Sequence, residues 1–446
     1  MARAKKEAAL TPEERLQTAL VPDWEWPYKL PENWCWTYLG VVSEIVMGQS
    51  PAGKSTTNDS SYMPLIGGAA DMGELYPQVS RFTKTPTKQS QTDDVILSIR
   101  ATLGRPIFSD GIYCLGRGVV AFRSSIVTKE FLRYFFIDQE NYLYQNATGT
   151  TFAQVDSKTL KSMPFPLPPF HEQRRIVRRV ESLFTKLDEA KDKAQKVVDE
   201  FKTRKAAILH QAFTGELTAK WREEHGVGME SWEVRTLDSV CSSIFDGDHM
   251  PPPKAESGIP FLVISNVNTG HLTFENTRFV PQEYYDTLSD TRKPQLGDVL
   301  YTLVGSFGIP VVVNSKRPFC FQRHMALLRP IDVSPQFLWY ILQTPEMYDK
   351  ASSIATGTAQ LTVPIKGLRA MTIPRPNIAE QVEIVRILDG FFAREQSAKE
   401  AAEAVLDQID LMKKSILARA FRGELGTNDP NEESAVELLK EIIRRG

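Results

Sequence analysis

A long stretch that occurs twice constrains this chain more than any other feature. Residues His171 to Phe213 return 208 positions later as Ala379 to Phe421. The likeness extends to Thr148–Leu217 against Thr356–Leu425, which align without a gap and are identical at 28 of 70 positions. In the first copy Ile176, Val180, Leu183, Leu187, Ala190, Ala194, Val197, Phe201, Arg204 and Ile208 fall at alternating four- and three-residue steps, the apolar seam of a coiled coil. The second copy reads Ile384, Leu388, Phe391, Glu395, Ala398, Ala402, Val405, Ile409, Met412 and Ile416. Each seam carries one charged intruder, Arg204 or Glu395, at a different place.

A helix of about 43 residues is about 64 Å long at 1.5 Å per residue, too long to lie inside one ordinary domain. Two matched seams are buried most economically against each other. Because a globular segment intervenes, the pair is expected to be antiparallel, with Ala190 and Ala194 facing Ala402 and Ala398 and one domain at each end of an approximate twofold. The competing arrangement packs each helix only on its own domain. Prolines before the repeats (Pro166, Pro168; Pro374, Pro376) and Gly215 or Gly423 after them are the expected boundary signals. Asn377 and Glu380 also form a capping box.

The rest of the chain falls around these helices. Residues 1–30 read as an N-terminal arm, with a helix starting at Thr11-Pro12-Glu13-Glu14 and a Pro/aromatic strap at Trp24, Trp26 and Tyr28. Residues 31–166 show short β-like runs at Val41–Met47, Tyr62–Ile66, Asp94–Ile99 and Val119–Phe122, then helical periodicity at Glu130–Asn141. Residues 230–375 repeat that order: Trp34 answers to Trp232, Asp94 to Asp298, and Phe131 to Phe337. The offset drifts from about 196 to 206, so loops have changed length while the elements kept their order. Residues 167–217 and 376–425 are the helical spacers and 218–229 a linker. Residues 426–446 form an amphipathic helix that docks on this chain or on a partner. The fold class is therefore α+β, two similar α/β domains joined and spaced by two long antiparallel helices.

A hydrophobic content of 42% and a charged content of 24% are those of an ordinary soluble globular protein. No run of roughly 18 apolar residues marks a membrane span, and Met1–Leu10 lacks the apolar core of a signal peptide, so a cytoplasmic protein is expected. Cys35, Cys114, Cys241 and Cys320 lie far apart and suggest neither a disulfide framework nor a zinc knuckle. The formal net charge is −2, so this is no lone, strongly basic nucleic-acid binder.

Several motifs invite an enzyme reading and fall short of it. Gly48 to Ser55 satisfies the P-loop spacing, but nothing after Lys54 reads as the helix whose N-terminus would hold phosphate. Leu167-Pro168-Pro169-Phe170 has the shape of an amino-methyltransferase motif, with leucine where a polar acceptor is needed. Asp246, Asp248 and His249 precede three prolines and read as a turn. No catalytic set and no metal site emerge.

The alternation of two divergent domains with two near-identical helices, entered at Pro166-Leu-Pro-Pro-x-x-Glu172-Gln173 and closed at Ala212-Phe-Thr-Gly215-Glu216-Leu217, resembles the specificity subunit of type I restriction-modification systems. The resemblance implies a non-catalytic chain. Its two domains would be target-recognition domains for a bipartite double-stranded DNA sequence, and its helices would be both spacer and docking surface. The implied partners are two methyltransferase subunits holding S-adenosylmethionine and methylating adenine, with motor-nuclease subunits joining for restriction. DNA-contact candidates, chosen by residue type and loop placement, are Lys54, Ser55, Arg81, Lys84, Lys88, Arg100 and Arg105 in the first domain. In the second they are Lys254, Arg292, Lys293, Arg317, Gln322 and Arg323. The Thr148-Gly-Thr and Thr356-Gly-Thr loops are either backbone near phosphate or simple turns. A protein-binding scaffold without DNA recognition is the alternative, told apart by copurification with a methyltransferase.

Overall fold

The computed structural model describes residues 11–149, 152–247, 252–358 and 360–445. The chain divides into two compact units, Met1–Lys193 with Val405–Gly446, and Ala194–Ala404. The division falls inside both long helices, Phe170–Thr214 and Ile378–Phe421, so each unit takes part of each.

Each unit is built on a four-stranded antiparallel sheet. The strand order is Glu44–Met47, Val119–Arg123, Val95–Arg100, Thr102–Phe108 in the first unit. In the second it is Cys241–Asp246, Met325–Pro330, Val299–Thr302, Pro310–Val312. Side chains of a strand alternate between faces, and here both faces are covered. Val95, Leu97 and Ile99 point to the helices, while Ile96 joins a core beneath a second, smaller sheet. Val299 and Tyr301 divide from Leu300 in the same way. Each smaller sheet holds one parallel pair at the equivalent place, Leu65–Ile66 beside Cys114–Leu115 and Phe261–Leu262 beside Cys320–Phe321.

At the outer end of each four-stranded sheet a buried aspartate fixes an arginine on the neighbouring strand. Asp94 takes Arg123 at 2.8 Å, and Asp298 takes Arg329 at 2.9 Å. The expected strand Val41–Met47 is only half strand, because Leu39–Val42 makes a helical turn first and Glu44 starts the strand. The periodicity at Glu130–Asn141 resolves into two helices, Lys129–Asp138 and Glu140–Gln145.

The long helices run antiparallel within each unit. In the first, Lys413 pairs with Asp188 and lies over the Phe184 ring, and Lys191 reaches Asp410 at 3.7 Å. In the second, Lys399 covers the Phe201 ring and Lys205 the Phe392 ring, with Arg204 on Glu395 between them. Every seam residue expected on the first helix is buried or half-buried. On the second helix Ala398, Val405 and Met412 are exposed instead. Their places are taken by the next residue along, Lys399, Leu406 and Lys413. The two lysines bury their aliphatic stems against phenylalanine faces while the ammonium groups stay near solvent, so charged residues occupy seam positions that an apolar pattern passes over.

The Glu-Gln pair opening each long helix is fully buried and staples its unit together. Gln173 accepts the backbone N–H of Thr128 at 2.9 Å, and Gln381 that of Ser334 at 2.9 Å; Thr128 and Ser334 are the N-caps of equivalent helices. Glu172 receives the Thr427 hydroxyl and the Asn428 N–H, both at 2.9 Å, and pairs with Arg175. Glu380 receives the Thr218 hydroxyl at 2.7 Å, the Arg222 guanidinium at 2.6 Å and the Trp232 indole N–H at 2.9 Å. The first turn of one long helix is thus tied to the segment that follows the other. The ends match: Phe421 packs its edge on Phe131 in the first unit, and Phe213 on Phe337 in the second.

The linker is more structured than its sequence suggests, and the expected terminal helix docks on this chain. The expected linker 218–229 contains the helix Ala219–His225, whose Arg222 is buried. The final helix, Ala435–Arg445, buries Ala435 and Leu439 in the core of the first unit, beside the helix Pro12–Ala19. That first helix starts where expected, with Thr11 and Glu14 forming a reciprocal capping box. In the strap, Tyr28 packs edge-on against Trp36 at 5.0 Å, while Trp24 stays 81% exposed.

Candidate nucleic-acid interface

In both units the strand from the parallel pair re-enters the four-stranded sheet through a three-residue turn. Gly116-Arg117-Gly118 makes it in the first unit, Gln322-Arg323-His324 in the second. The backbone of the two turns is held by matching hydrogen bonds. Gly116 N donates to Ile66 O at 2.8 Å and Gln322 N to Leu262 O at 3.0 Å. Ile99 N donates to Gly118 O at 2.9 Å and Leu303 N to His324 O at 2.8 Å. Gly48 and Gly247 close the frame by donating to Val119 O and Met325 O. Neither glycine has room for a Cβ, which would strike the carbonyl of Gly116 or of Phe321.

Arg117 and Arg323 therefore occupy the same position, and both are exposed. The Arg117 backbone N–H and Nε both donate to Ser50 Oγ, at 3.2 and 3.3 Å. Arg117 was not among the sequence candidates. The signal was present, since it stands at the offset of 206 residues that also relates Cys114 to Cys320 and Phe131 to Phe337.

Other candidates of the first domain gather near this turn. Arg81 holds buried Asp71 at 2.9 Å, and Asp71 in turn accepts Gly67 N at 2.7 Å, so the half-exposed guanidinium stands beside Gly67. Lys88 is exposed on a strand paired with Leu115, next to Gly116. Arg100 ends its strand and bridges to Gln154. Arg105 is exposed on the adjoining strand, its N–H on Ser98 Oγ at 3.3 Å. Lys54 and Lys84 form a separate cluster where Lys84 N meets Ser55 O and its ammonium lies 5.2 Å from the Tyr62 ring. Ser55 itself is turned inward, its hydroxyl on Ala52 O at 2.6 Å, and offers the surface no donor.

The second-domain candidates divide. Arg323 and His324 line a cavity of about 390 Å³ with Asp246, Leu303, Gln360 and Thr362. Burial, and then the charge of Arg323, hold the His324 imidazole below its usual pKa. Gln322 is half-buried within the turn. Arg292 and Lys293 stand at the opposite end of the sheet, where the Lys293 carbonyl caps Arg329 at 2.9 Å and its ammonium lies over the Tyr285 ring. Arg317 is stacked 5.0 Å from the Phe274 ring, and Lys254 is exposed beside the Ala255–Phe279 bridge. These four do not join Arg323, because residue type and loop placement carry no information about which end of a sheet a loop emerges from.

The ends of both Thr-Gly-Thr segments exchange two backbone hydrogen bonds, Thr148 with Gln154 and Thr356 with Thr362. The chain that leaves each segment is sewn to the same sheet end as the arginine turn, through Ala101 N on Ala153 O and Val363 N on Leu303 O, both at 2.9 Å. Thr150 lies outside the described residues.

The motifs that invite catalysis have structural uses. Gly53–Ser55 is a single turn leading into the strand Thr56–Thr57, so no helix N-terminus is available to a phosphate there. Leu167 is a buried strand end, and the Pro168 carbonyl accepts Gln173 Nε2 at 3.2 Å. Asp246 closes its strand; Asp248 and His249 lie outside the described residues. Among the described residues no helix is long and apolar enough to cross a membrane.

Residues 31–198 and 229–406 each match the model of the type I restriction modification DNA specificity domain. The chain is 25% identical over 459 residues to the type I restriction enzyme EcoKI specificity subunit of Escherichia coli strain K12, covering 93% of this chain and 96% of that protein. It is 27% identical to the EcoBI specificity subunit of Escherichia coli over 70% of this chain and 71% of that one. In fold it is similar to a chain solved in work on the assembly and conformational transition of a type I R-M system, with a TM-score of 0.69 and 22% identity over 89% of this chain and 100% of that one. It is also similar to the crystal structure of the HsdS subunit from Thermoanaerobacter tengcongensis, with a TM-score of 0.63 and 22% identity over 90% and 99% of the two chains.

Proposed function

Because the chain belongs to the type I restriction-modification DNA specificity family, we propose that it is the subunit that supplies sequence specificity to such an enzyme, each α/β domain reading one half of a bipartite double-stranded DNA target. The long helices set the spacing of the two halves and form the docking surface for two methyltransferase subunits. Those subunits hold S-adenosylmethionine and methylate adenine, while motor-nuclease subunits join for restriction. The bond-making chemistry belongs to the partners.

The observation that carries the reading is one framework bearing different loops. The turn at Gly116-Arg117-Gly118 has the backbone hydrogen bonds of the turn at Gln322-Arg323-His324, but its flanking side chains differ. Two domains that keep a scaffold and vary what it displays suit two different half-sites. A net charge of −2 fits a reader whose partners share the phosphate contacts.

The test is coexpression with the cognate methyltransferase subunit, followed by sequencing of modified bases. Exchanging residues 31–166 for the equivalent domain of a relative should change one half of the methylated site and leave the other intact. A methylated site unaltered by the exchange overturns the reading, as does failure to copurify with a methyltransferase.

A further inference from the structure

We propose that Arg117 and Arg323 are the paired specificity-determining residues of the two domains, each selecting a base in its own half-site through two adjacent acceptors, such as O6 and N7 of guanine. The proposal rests on the DNA-specificity reading above and adds which side chains do the selecting.

Position is the first argument. The turns that carry the two arginines share their backbone hydrogen bonds on both sides, to Ile66 and Ile99 in one unit and to Leu262 and Leu303 in the other. An arginine that stays put while its neighbours change from glycine to Gln322 and His324 is presented by the framework itself. Rigidity is the second. Gly48 and Gly247 press on these turns with no space for a side chain, so each arginine Cα is fixed. Base readout needs a fixed origin, because only contacts to base edges carry sequence information.

Contrast with a second arginine in each domain is the third argument. Six residues further on, Arg123 and Arg329 are locked to buried Asp94 and Asp298. Among the described residues Arg117 and Arg323 have no carboxylate partner; Arg117 meets only the Ser50 hydroxyl. The four terminal N–H donors of Arg117, which the Ser50 contact through Nε leaves unengaged, and the guanidinium of Arg323 can meet a two-acceptor edge.

The experiment uses the full complex with its methyltransferase partners. For Arg117→Ala and Arg323→Ala, modified-base sequencing is expected to show one previously fixed base become degenerate, in one half-site for the first variant and in the other half-site for the second. Discrimination at that base should fall roughly five- to a hundredfold. Arg117→Lys keeps the charge and stands in if alanine impairs folding; it too should relax the base, because a lysine lacks the fork. A motif that stays intact, with affinity lowered equally on all sequences and a salt slope smaller by about one, places these side chains on phosphates and overturns the proposal. An intact motif with intact affinity overturns it as well. If the wild-type complex itself marks no bipartite sequence, the DNA-specificity reading falls first. If it marks one and the variants keep it, only this inference falls.

Discussion

Arg204 Nε donates to Glu395 Oε2 across 2.9 Å, so the two charged residues that interrupt the seams of the long helices are each other's partner. The guanidinium also donates to Glu200 Oε2 at 2.9 Å and to the Val197 carbonyl at 3.1 Å. An intruder in one seam is therefore answered by an intruder in the other, which specifies the antiparallel register in a way that an all-apolar seam would not. Arg204→Met and Glu395→Leu should each destabilise the unit Ala194–Ala404, and the double variant should recover part of the loss. A denaturant double-mutant cycle is expected to give a coupling of about 1 kcal/mol, and additive losses would show the pair to be incidental.

Glu380 should matter more than its single charge suggests. Its removal strands the buried Arg222 guanidinium, the Thr218 hydroxyl and the Trp232 indole N–H together. Glu380→Ala is expected to cost about 3–5 kcal/mol in the second unit. Urea denaturation followed by tryptophan fluorescence measures it, and a loss below about 1 kcal/mol would contradict the staple.

The helix ends give a graded pair. Phe421 is fully buried between Phe131 and Phe135, with ring centroids at 5.0 and 5.7 Å, whereas Phe213 is only partly buried against Phe337. Phe421→Ala should therefore cost about 3–5 kcal/mol and Phe213→Ala distinctly less. Thermal unfolding of the two variants checks the order.

His324 supplies a pH dependence. Burial and Arg323 hold its folded pKa below the ordinary 6.5, so just below that pH the unfolded chain takes up a proton that the folded chain does not. Stability is then full above about pH 6.5 and falls as the pH drops through the window beneath it. His324→Asn should be less sensitive to acid across that window. Urea midpoints for both proteins between about pH 7.5 and 5.5 make the comparison, and parallel curves would contradict it.

The long helices, their punctuation and the repeated order of domain elements were legible because each is written in local periodicity or in a gapless repeat. The exact face of the second helix was not. Ala398, Val405 and Met412 look like seam residues, but Lys399 and Lys413 fill the seam by lying along Phe201 and Phe184, a solution that depends on the partner helix. The role of the segment after each helix was equally hidden. Thr218, Arg222, Thr427 and Asn428 gain meaning only when a buried glutamate more than 150 residues away is brought to them. The interface candidates were the least legible. Arg117 needed the offset of 206 residues, and Arg292 and Lys293 look like ligand-facing residues until the sheet places them beside Arg329.

If the long helices set the distance between the two readers, as proposed, the methylated site of a variant lacking one heptad from each helix shows it. Seven residues of helix rise about 10 Å, the length of about three base pairs. The half-site sequences should stay unchanged, separated by a spacer shorter by about that amount. An unchanged spacer, or altered half-site sequences, would contradict it.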